Sequence, residues 1–174
     1  REIATLTGVT FALDVALKLE LHVPRPDKPA VAERFAALTN AEAFAEIRAK
    51  ALTAVKAEVT AQVATAAKYN LKVLAFESGN GIWPPYPARS NLALQAKLTS
   101  LQRDPEMKTL YTEYLNDWFN AGGHLLMHFI DVARSSETSG WYGSLEYVAQ
   151  TRAEAPKYDG LMSFIENNRN RIVP

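Results

Sequence analysis

The chain has 174 residues, of which 48% are hydrophobic and 22% charged, proportions typical of globular proteins and not of disordered or collagen-like ones. Nineteen basic and nineteen acidic residues give a formal net charge of zero without a basic stripe, so nucleic acid is not an expected partner. The absence of cysteine excludes disulfides, thiol nucleophiles and cysteine-ligated zinc. No apolar run reaches about 18 residues, so the sequence predicts no contact with a membrane through a spanning segment.

The N-terminal part of the sequence reads as one strand and a loop. Residues 3–11 are rich in β-branched side chains that alternate with polar ones, which predicts a strand. Residues 13–21 are apolar and ambiguous, and a short helix is one interpretation of them. Residues 23–29 contain three prolines, which predicts an extended loop.

The clearest helix is predicted over residues 41–68. Thr39 and Glu42 have the spacing of a capping box, and Asn70 stands where a left-handed residue commonly ends a helix. Apolar residues recur there at three- and four-residue spacing, which produces one apolar stripe. A short buried strand is predicted directly afterwards, over residues 71–76, and it ends at Glu77.

The second half of the chain repeats this alternation. An irregular loop over residues 78–87 and a minor helix over residues 90–101 follow Glu77, and Asp104-Pro105 predicts the N-terminus of the next helix. Gly122-Gly123 ends that helix, and a strand is predicted over residues 124–130. A last helix is predicted over residues 159–168. Strands that alternate with helices indicate an α/β fold with a parallel sheet.

Candidate functional residues follow the two later predicted strands, because ligand sites of parallel β/α folds collect at the carboxyl ends of strands. Glu77 is a candidate nucleophile, base or metal ligand, or else a carboxylate held by a neighbouring Arg or by loop amides. His128 and Asp131 end the last strand, where a hydrogen-bonded core histidine is the alternative interpretation of His128. No metal-site spacing and no nucleotide-binding motif is present, so we predict neither a metal nor a cofactor.

Aromatic residues in the two loops are candidate sugar-binding groups. Trp83 and Tyr86 lie in the first loop, and Trp141 and Tyr142 lie in the second. Ligand sites commonly combine aromatic rings with a few polar groups. The alternative is that these rings pack as anchors of the loops, since Trp is mostly buried in proteins.

Several short motifs resemble the C-terminal part of bacterial barrel proteins that are similar to glycoside hydrolases and are often described as cellulose-binding or cellulase-like. The resemblance covers about residues 70–165. It is carried by Leu-Ala-Phe-Glu-Ser-Gly-Asn at 74–80, Gln-Arg-Asp-Pro-Glu-Met at 102–107, Tyr-Thr-Glu-Tyr-Leu at 111–115, Gly-Gly at 122–123 and Ser-Gly-Trp-Tyr-Gly-Ser-Leu-Glu at 139–146.

This resemblance implies a fold and a set of roles. The fold class it implies is α/β, namely the C-terminal portion of a (β/α)8 barrel, with residues 1–174 as one domain that supplies barrel units six to eight. Residues 77–103 and 131–157 would be its active-face loops. Glu77 matches the acid that ends the seventh strand and acts as the nucleophile in retaining barrel glycosidases, and Trp141 matches a Trp that lines the sugar subsite. A whole barrel typically needs about 250 residues, so another segment or chain would complete it.

The resulting hypothesis is a carbohydrate-active protein. It would be a retaining glycoside hydrolase that acts on a polysaccharide or oligosaccharide, with Glu77 as nucleophile and the acid/base residue upstream of Arg1. Trp83, Tyr86, His128, Asp131, Trp141 and Tyr142 are the predicted substrate-binding residues. The expected partners are the saccharide and the N-terminal remainder of the barrel, and the expected location is secreted or periplasmic. The alternatives are a non-catalytic carbohydrate-binding protein and a structural subunit.

Overall fold

The computed structural model describes residues 15–22, 29–82, 88, 90–134 and 141–172. Strands and helices alternate along this part of the chain. In order they are β1 (Val15–His22), α1 (Pro29–Ala37), α2 (Asn40–Ile47), a π-helical turn (Arg48–Leu52), α3 (Thr53–Ala67), β2 (Val73–Gly81), α4 (Leu92–Gln102), α5 (Glu106–Asn120), β3 (Leu125–His128), a 3-10 turn (Arg152–Glu154), α6 (Pro156–Asn167) and α7 (Arg169–Ile172).

The three strands of the described residues form one parallel sheet in the order β1-β2-β3. Val15 pairs with Val73 at the start of β2, and Leu74 pairs with Leu125 in β3. Each strand therefore lies beside the next one in sequence, joined to it by helices. The predicted mixed α/β class with a parallel sheet is confirmed.

The long predicted helix is confirmed as one helical run from α2 through the π-helical turn to α3. Thr39 and Glu42 form the capping box, each side chain bonding the other residue's backbone N–H. Asn70 follows α3 with φ +52°, the left-handed conformation that its position predicts. Arg48, at the start of the π-helical turn, donates to Glu106 and Glu113 and so ties this turn to α5.

The core lies between the helices and one side of the sheet. Met107, Leu110, Tyr114 and Trp118 are fully buried along α5, at the helical spacing that the sequence indicates. Gly160 of α6 comes close to α5: an added Cβ would stand 3.0 Å from the Lys108 carbonyl and from Tyr111 Cβ. Phe119 and Phe164 stack with ring centroids 5.4 Å apart. The two helices thus pack against each other on the sheet.

The opposite side of the sheet is apolar and exposed in the described residues. Leu125, Met127 and Phe129 are 48%, 46% and 39% exposed, and Phe76 of β2 is 38% exposed. Single exposed apolar residues need no explanation, but a row of them on one sheet face is typical of a surface that another element covers.

Several elements differ from the sequence-based predictions. Residues 13–21, for which a short helix was one interpretation, overlap β1 (Val15–His22), because pairing with β2 outweighs weak local propensity. The strand predicted over 71–76 continues to Gly81, and the one predicted over 124–130 is limited to Leu125–His128. Helix α1 was not predicted. The strand predicted over residues 3–11 lies outside the described residues.

Two helix boundaries agree with the sequence signals. The Asp104 carboxylate accepts the backbone N–H of Glu106 at 2.9 Å and so caps the first turn of α5, as predicted. After Asn120 ends this helix, Gly122 adopts φ +98°, a conformation that L side chains rarely take. The predicted last helix begins earlier than residue 159, at Pro156.

Gly123→Ala is expected to destabilise the fold. The new Cβ would stand 2.1–2.6 Å from three atoms of the fully buried Trp118 ring, so that ring or the backbone must move. Overpacking of this kind costs about 1–3 kcal/mol. Chemical denaturation should show the loss, while Asn120→Ala on the exposed end of α5 should leave the free energy of unfolding within about 0.5 kcal/mol of the wild-type value. Equal stability of the two variants would contradict this packing.

Candidate functional site

Glu77 occupies a β-bulge in the central strand. Lys18 pairs with Phe76, but Glu20, two residues later in β1, pairs with Gly79, three residues later in β2. The β3 side shows the same offset, since Ala75 pairs with Leu126 and Ser78 with His128. The β1 offset places one extra residue of β2 at position 77 or 78, and the β3 offset places it at 76 or 77, so both include Glu77.

The bulge reverses the side-chain alternation of β2. Val73 and Ala75 are buried before it, Phe76 and Glu77 are both exposed, and Ser78 and Asn80 are buried after it. Glu77 itself has φ +47°, a left-handed conformation that costs a residue with a Cβ roughly 1–2 kcal/mol. Strained residues of this kind cluster at functional sites. The bulge holds the Glu77 carboxylate on the exposed side of the strand.

Gly79, just after the bulge, makes room for His128. It has φ +130°, and a Cβ there would stand 2.8 Å from His128 Nε2. The same His128 nitrogen is 3.3 Å from the hydroxyl of the buried Tyr111 on α5. His128 therefore lies on the helix-facing side of the sheet, beside Ser78, and not on the exposed side with Glu77.

His128 is neutral at physiological pH. Its burial, with a smaller contribution from the positive charge of Lys157, lowers the pKa of His128 to about 4, while Asp131 acts in the opposite direction. Burial also raises the pKa of Tyr111 well above its usual value. A neutral imidazole bonded to a neutral phenol is the hydrogen-bonded core histidine that the alternative interpretation describes.

Asn80 begins a buried polar network below the end of β2. Its Nδ2 donates to Gln102 Oε1 and to the Trp141 carbonyl, the latter at 2.9 Å, and its Oδ1 accepts from the Ile82 N–H at 2.9 Å. The Trp141 carbonyl accepts a second hydrogen bond, at 2.5 Å, from Lys157 Nζ on the first turn of α6. One backbone carbonyl thus joins β2, α6 and the loop after β3.

Lys157 is 5% exposed, which is unusual for a lysine. Burial lowers the pKa of Lys157 to about 7, and the negative charge of Glu146 opposes part of this effect. Glu146 is itself held by Arg103 through two hydrogen bonds of 2.8 Å, which lower the pKa of Glu146. The network therefore contains a buried amine that changes its charge in the neutral pH range.

The segment 141–145 runs beside the chain that follows β3. Val132 and Leu145 form a parallel bridge, and the Ser144 hydroxyl donates to the Asp131 carbonyl at 2.8 Å and lies 3.3 Å from its carboxylate. Gly143 has no room for a side chain, since a Cβ would stand 2.4 Å from the Leu145 carbonyl oxygen. The Tyr142 ring meets Phe129 edge-on, with centroids 5.7 Å apart. This packing fixes the segment at the carboxyl end of β3.

A cavity of about 880 Å³ lies between β3 and α6. Its walls are mostly apolar, with Leu126 of β3 on one side and Leu161 and Phe164 of α6 on the other. Polar groups occur at both ends of β3 and include Lys72, His124, His128, Asp131 and Ser144. The predicted residues His128 and Asp131 thus share one cavity.

The structure brings together only part of the predicted site. His128, Asp131, Trp141 and Tyr142 lie around the carboxyl end of β3, whereas Glu77 is exposed on β2. The Trp141 indole is 2% exposed, and this agrees with its packing as an anchor of the loop. Tyr142 is half-buried and Asp131 exposed. Trp83 and Tyr86 lie outside the described residues.

Sequence reasoning missed Asn80, Gln102, Tyr111 and Lys157. Lys157 itself was one signal. It directly follows the proline that begins α6, where the positive end of the helix dipole makes a positively charged side chain unfavourable, so a specific contact was to be expected. The polar pair Ser78 and Asn80 within a buried strand was a second signal. Tyr111 gave no such signal in the sequence, because it continues the apolar stripe of α5.

Comparison with protein-family models, with curated proteins and with solved structures finds no match for this chain. Within the described ranges, no three His, Cys, Asp or Glu side chains are grouped so that they could hold a metal ion. None of the helices described combines the length and the apolar character needed to cross a bilayer.

Glu77→Gly should stabilise the protein relative to Glu77→Ala. Both substitutions remove the carboxylate, but only glycine adopts φ +47° without strain, so we expect the glycine variant to be about 1 kcal/mol more stable. Urea denaturation of the pair measures the difference. Equal stabilities, or a more stable alanine variant, would show that the bulge stores no strain at Glu77.

Lys157→Met should remove a pH dependence of stability. In the wild type, the unfolded state keeps the lysine proton up to about pH 10.5, whereas the folded state loses it at about pH 7. The unfolded state therefore binds more protons between these values, and stability rises with pH by up to about 1.4 kcal/mol per unit. The methionine variant lacks this slope and should be the more stable protein below pH 7.

Denaturation midpoints of both proteins between pH 6 and pH 10 test this expectation. The difference in stability should be largest below pH 7 and should shrink toward pH 10. Lys108→Met is the matched control, because this half-exposed lysine of α5 pairs at 2.7 Å with Asp159 on α6, the helix that carries Lys157. Its loss should change stability by less than about 1 kcal/mol. A difference that does not vary with pH would refute the burial of a titrating amine at position 157.

Proposed function

We propose that this chain is the C-terminal part of a β/α barrel that acts on carbohydrate as a retaining glycoside hydrolase, with Glu77 as the nucleophile. Another segment or chain completes the barrel and supplies the acid/base residue. The observation that carries the proposal is the exposed Glu77 carboxylate, held in a left-handed conformation in the central strand.

The sheet order supports the barrel. In an eight-fold barrel every strand is parallel to its neighbours and lies next to the strand that follows it in sequence. The described strands have this order, β1-β2-β3, with helices in each connection. A doubly wound sheet would reverse its order at one point, and this part of the chain contains no such reversal.

The uncovered face of the sheet supports completion by another segment. Side chains inside a β/α barrel are mostly apolar and pack in layers, and helices cover the outside. Helices cover the Val73 and Ala75 side of β2, whereas Leu125, Met127 and Phe129 of the other side are exposed. These residues would become the barrel interior when the remaining strands are present.

The proposed chemistry uses Glu77 in its ionised form. The carboxylate attacks the anomeric carbon, a glycosyl ester forms, and the bond to the leaving oxygen breaks as a second carboxyl group protonates that oxygen. Water then hydrolyses the ester, with the second carboxyl group acting as the base. A rigid strand position is suited to this task, because the nucleophile must be held close to its attack geometry.

Covalent trapping tests the proposal without the acid/base residue. A 2-deoxy-2-fluoro cellobioside with a dinitrophenolate leaving group needs no protonation to react, so the Glu77 carboxylate should displace dinitrophenolate and keep the fluorosugar as an ester. Intact-mass analysis should show one added 2-deoxy-2-fluorocellobiosyl group, and peptide mapping should place it on residues 73–81. Glu77→Gln should remain unlabelled.

Glu58→Gln is the matched control, because Glu58 is an exposed carboxylate on α3, away from the sheet. It should be labelled as fully as the wild type. Labelling of Glu77→Gln, or of a different carboxylate, would refute the assignment of the nucleophile.

A non-catalytic carbohydrate-binding protein is the second candidate, and the half-buried Tyr142 and exposed Asp131 favour it. It predicts a rise in melting temperature with cello-oligosaccharides and no covalent label. Ligand at about 100 times its dissociation constant adds about 2.7 kcal/mol of stability, which a thermal-shift measurement detects. If no saccharide changes the melting temperature and no label forms, the structural-subunit alternative is the one supported.

A further inference from the structure

We propose that Lys157 is a positioning residue, which holds the Trp141 carbonyl and thereby places Tyr142 at the carboxyl end of β3. The contacts of Lys157 and Trp141 are features of the fold and do not depend on the proposed function. Their consequence for sugar binding rests on the proposed function, which uses Tyr142 as part of the saccharide site.

The Trp141 carbonyl is held from two sides. Asn80 donates to it from β2 at 2.9 Å, and Lys157 donates to it from α6 at 2.5 Å. Both side chains are buried, and so is the Trp141 ring. A buried carbonyl with two buried donors cannot exchange either of them for water without opening the packing around it. The position of residue 141 is therefore tied to both elements.

The chain on the other side of Tyr142 is fixed independently. The Ser144 and Leu145 N–H groups donate to the Ile130 and Asp131 carbonyls, each at 2.9 Å. The absence of space at Gly143 restricts the backbone between these bonds and Tyr142. Lys157 donates to the carbonyl that precedes the Tyr142 amide, so it acts on Tyr142 through the Trp141 carbonyl.

The strength of the Lys157 bond depends on pH. Charged donors make hydrogen bonds about twice as strong as neutral ones, and the pKa of Lys157, lowered by burial, is about 7. Several charged groups surround this amine. Glu146, Arg103 and Glu154 line the small space beside it, and the charge of Lys157 acts on His128 of β3.

The neighbours with shifted pKa values do not titrate in the same pH range. Arg103 keeps its positive charge across this pH range, since Glu146 raises the pKa of its guanidinium above an already high value. The pKa values of Glu146 and Glu154 are lowered, by the Arg103 hydrogen bonds and by the hydrogen bonds of Thr151 respectively. His128 changes charge near pH 4. A change near pH 7 in this region therefore reports on Lys157.

Nuclear magnetic resonance of the ligand-free protein tests the positioning role. The amide ¹⁵N shift of Tyr142 responds to the hydrogen bonds of the preceding carbonyl, so it should titrate with a midpoint near pH 7 in the wild type. Lys157→Met should lose this titration, whereas Lys108→Met should keep it. If Lys157→Met fails to fold, Lys157→Gln, a donor that does not titrate, takes its place in the comparison. An unchanged titration in the folded Lys157 variant would overturn the proposal.

Cellohexaose binding at pH 6 and pH 8.5 tests the consequence for the site. In the wild type, cellohexaose should bind about fivefold more tightly at pH 6, where the Lys157 amine is charged, than at pH 8.5. This difference in affinity should disappear in Lys157→Met. If the amide titrates as expected and no cellohexaose binds, the positioning role stands and the proposed function fails. If cellohexaose binds with the same pH profile in both proteins, the positioning role fails and the proposed function stands.

Discussion

The extra residue in β2 is the constraint on which the candidate site depends. Side chains alternate strictly along a regular strand, so the buried positions Val73 and Ala75 would otherwise be followed by a buried Glu77. A buried, unpaired carboxylate is very unfavourable. The bulge turns Glu77 outward and moves Ser78 and Asn80 inward, at the cost of one left-handed residue. A single local irregularity thus decides which side each polar group occupies.

The inward position of Asn80 then organises the groups below the strand end. Because Asn80 holds the Trp141 carbonyl, the loop after β3 returns to β2, and Lys157 completes the contact from α6. Burying the lysine is itself unfavourable, as its lowered pKa indicates. The favourable hydrogen bond to the carbonyl and the nearby charge of Glu146 offset part of that cost.

The sequence predicted those parts of the fold that depend on local signals. The capping box at Thr39, the left-handed Asn70 and the Asp104 cap each act within a few residues, and each occurs in the structure. The β1 strand depends instead on pairing with β2, whose partner residues are 58 or 59 positions away, so its segment alone was ambiguous. Glu77 and Tyr142 could be selected from their positions after strands, but the bulge depends on the register of both neighbouring strands.

The buried network around the Trp141 carbonyl could not be predicted from the sequence either, because it too depends on contacts between distant parts of the chain. Lys157 and Asn80 are 77 positions apart and meet only through a backbone carbonyl, which has no side-chain signature. For Trp141 the sequence left two interpretations open, a ring for sugar binding and a packed anchor of the loop. The indole is buried, and its backbone carbonyl makes the connecting contacts.

A structural role alone accounts poorly for glutamate at position 77. Glycine would occupy a left-handed bulge position without strain, and asparagine would do so with less strain than glutamate. Glutamate instead adds strain and places a charge on a sheet face whose described neighbours, Phe76 and Met127, are apolar. The proposed catalytic role would account for a charged residue at this strained position. In the proposed barrel, the strained Glu77 and the uncovered face beside it would belong to one site, which the remaining strands and a saccharide complete.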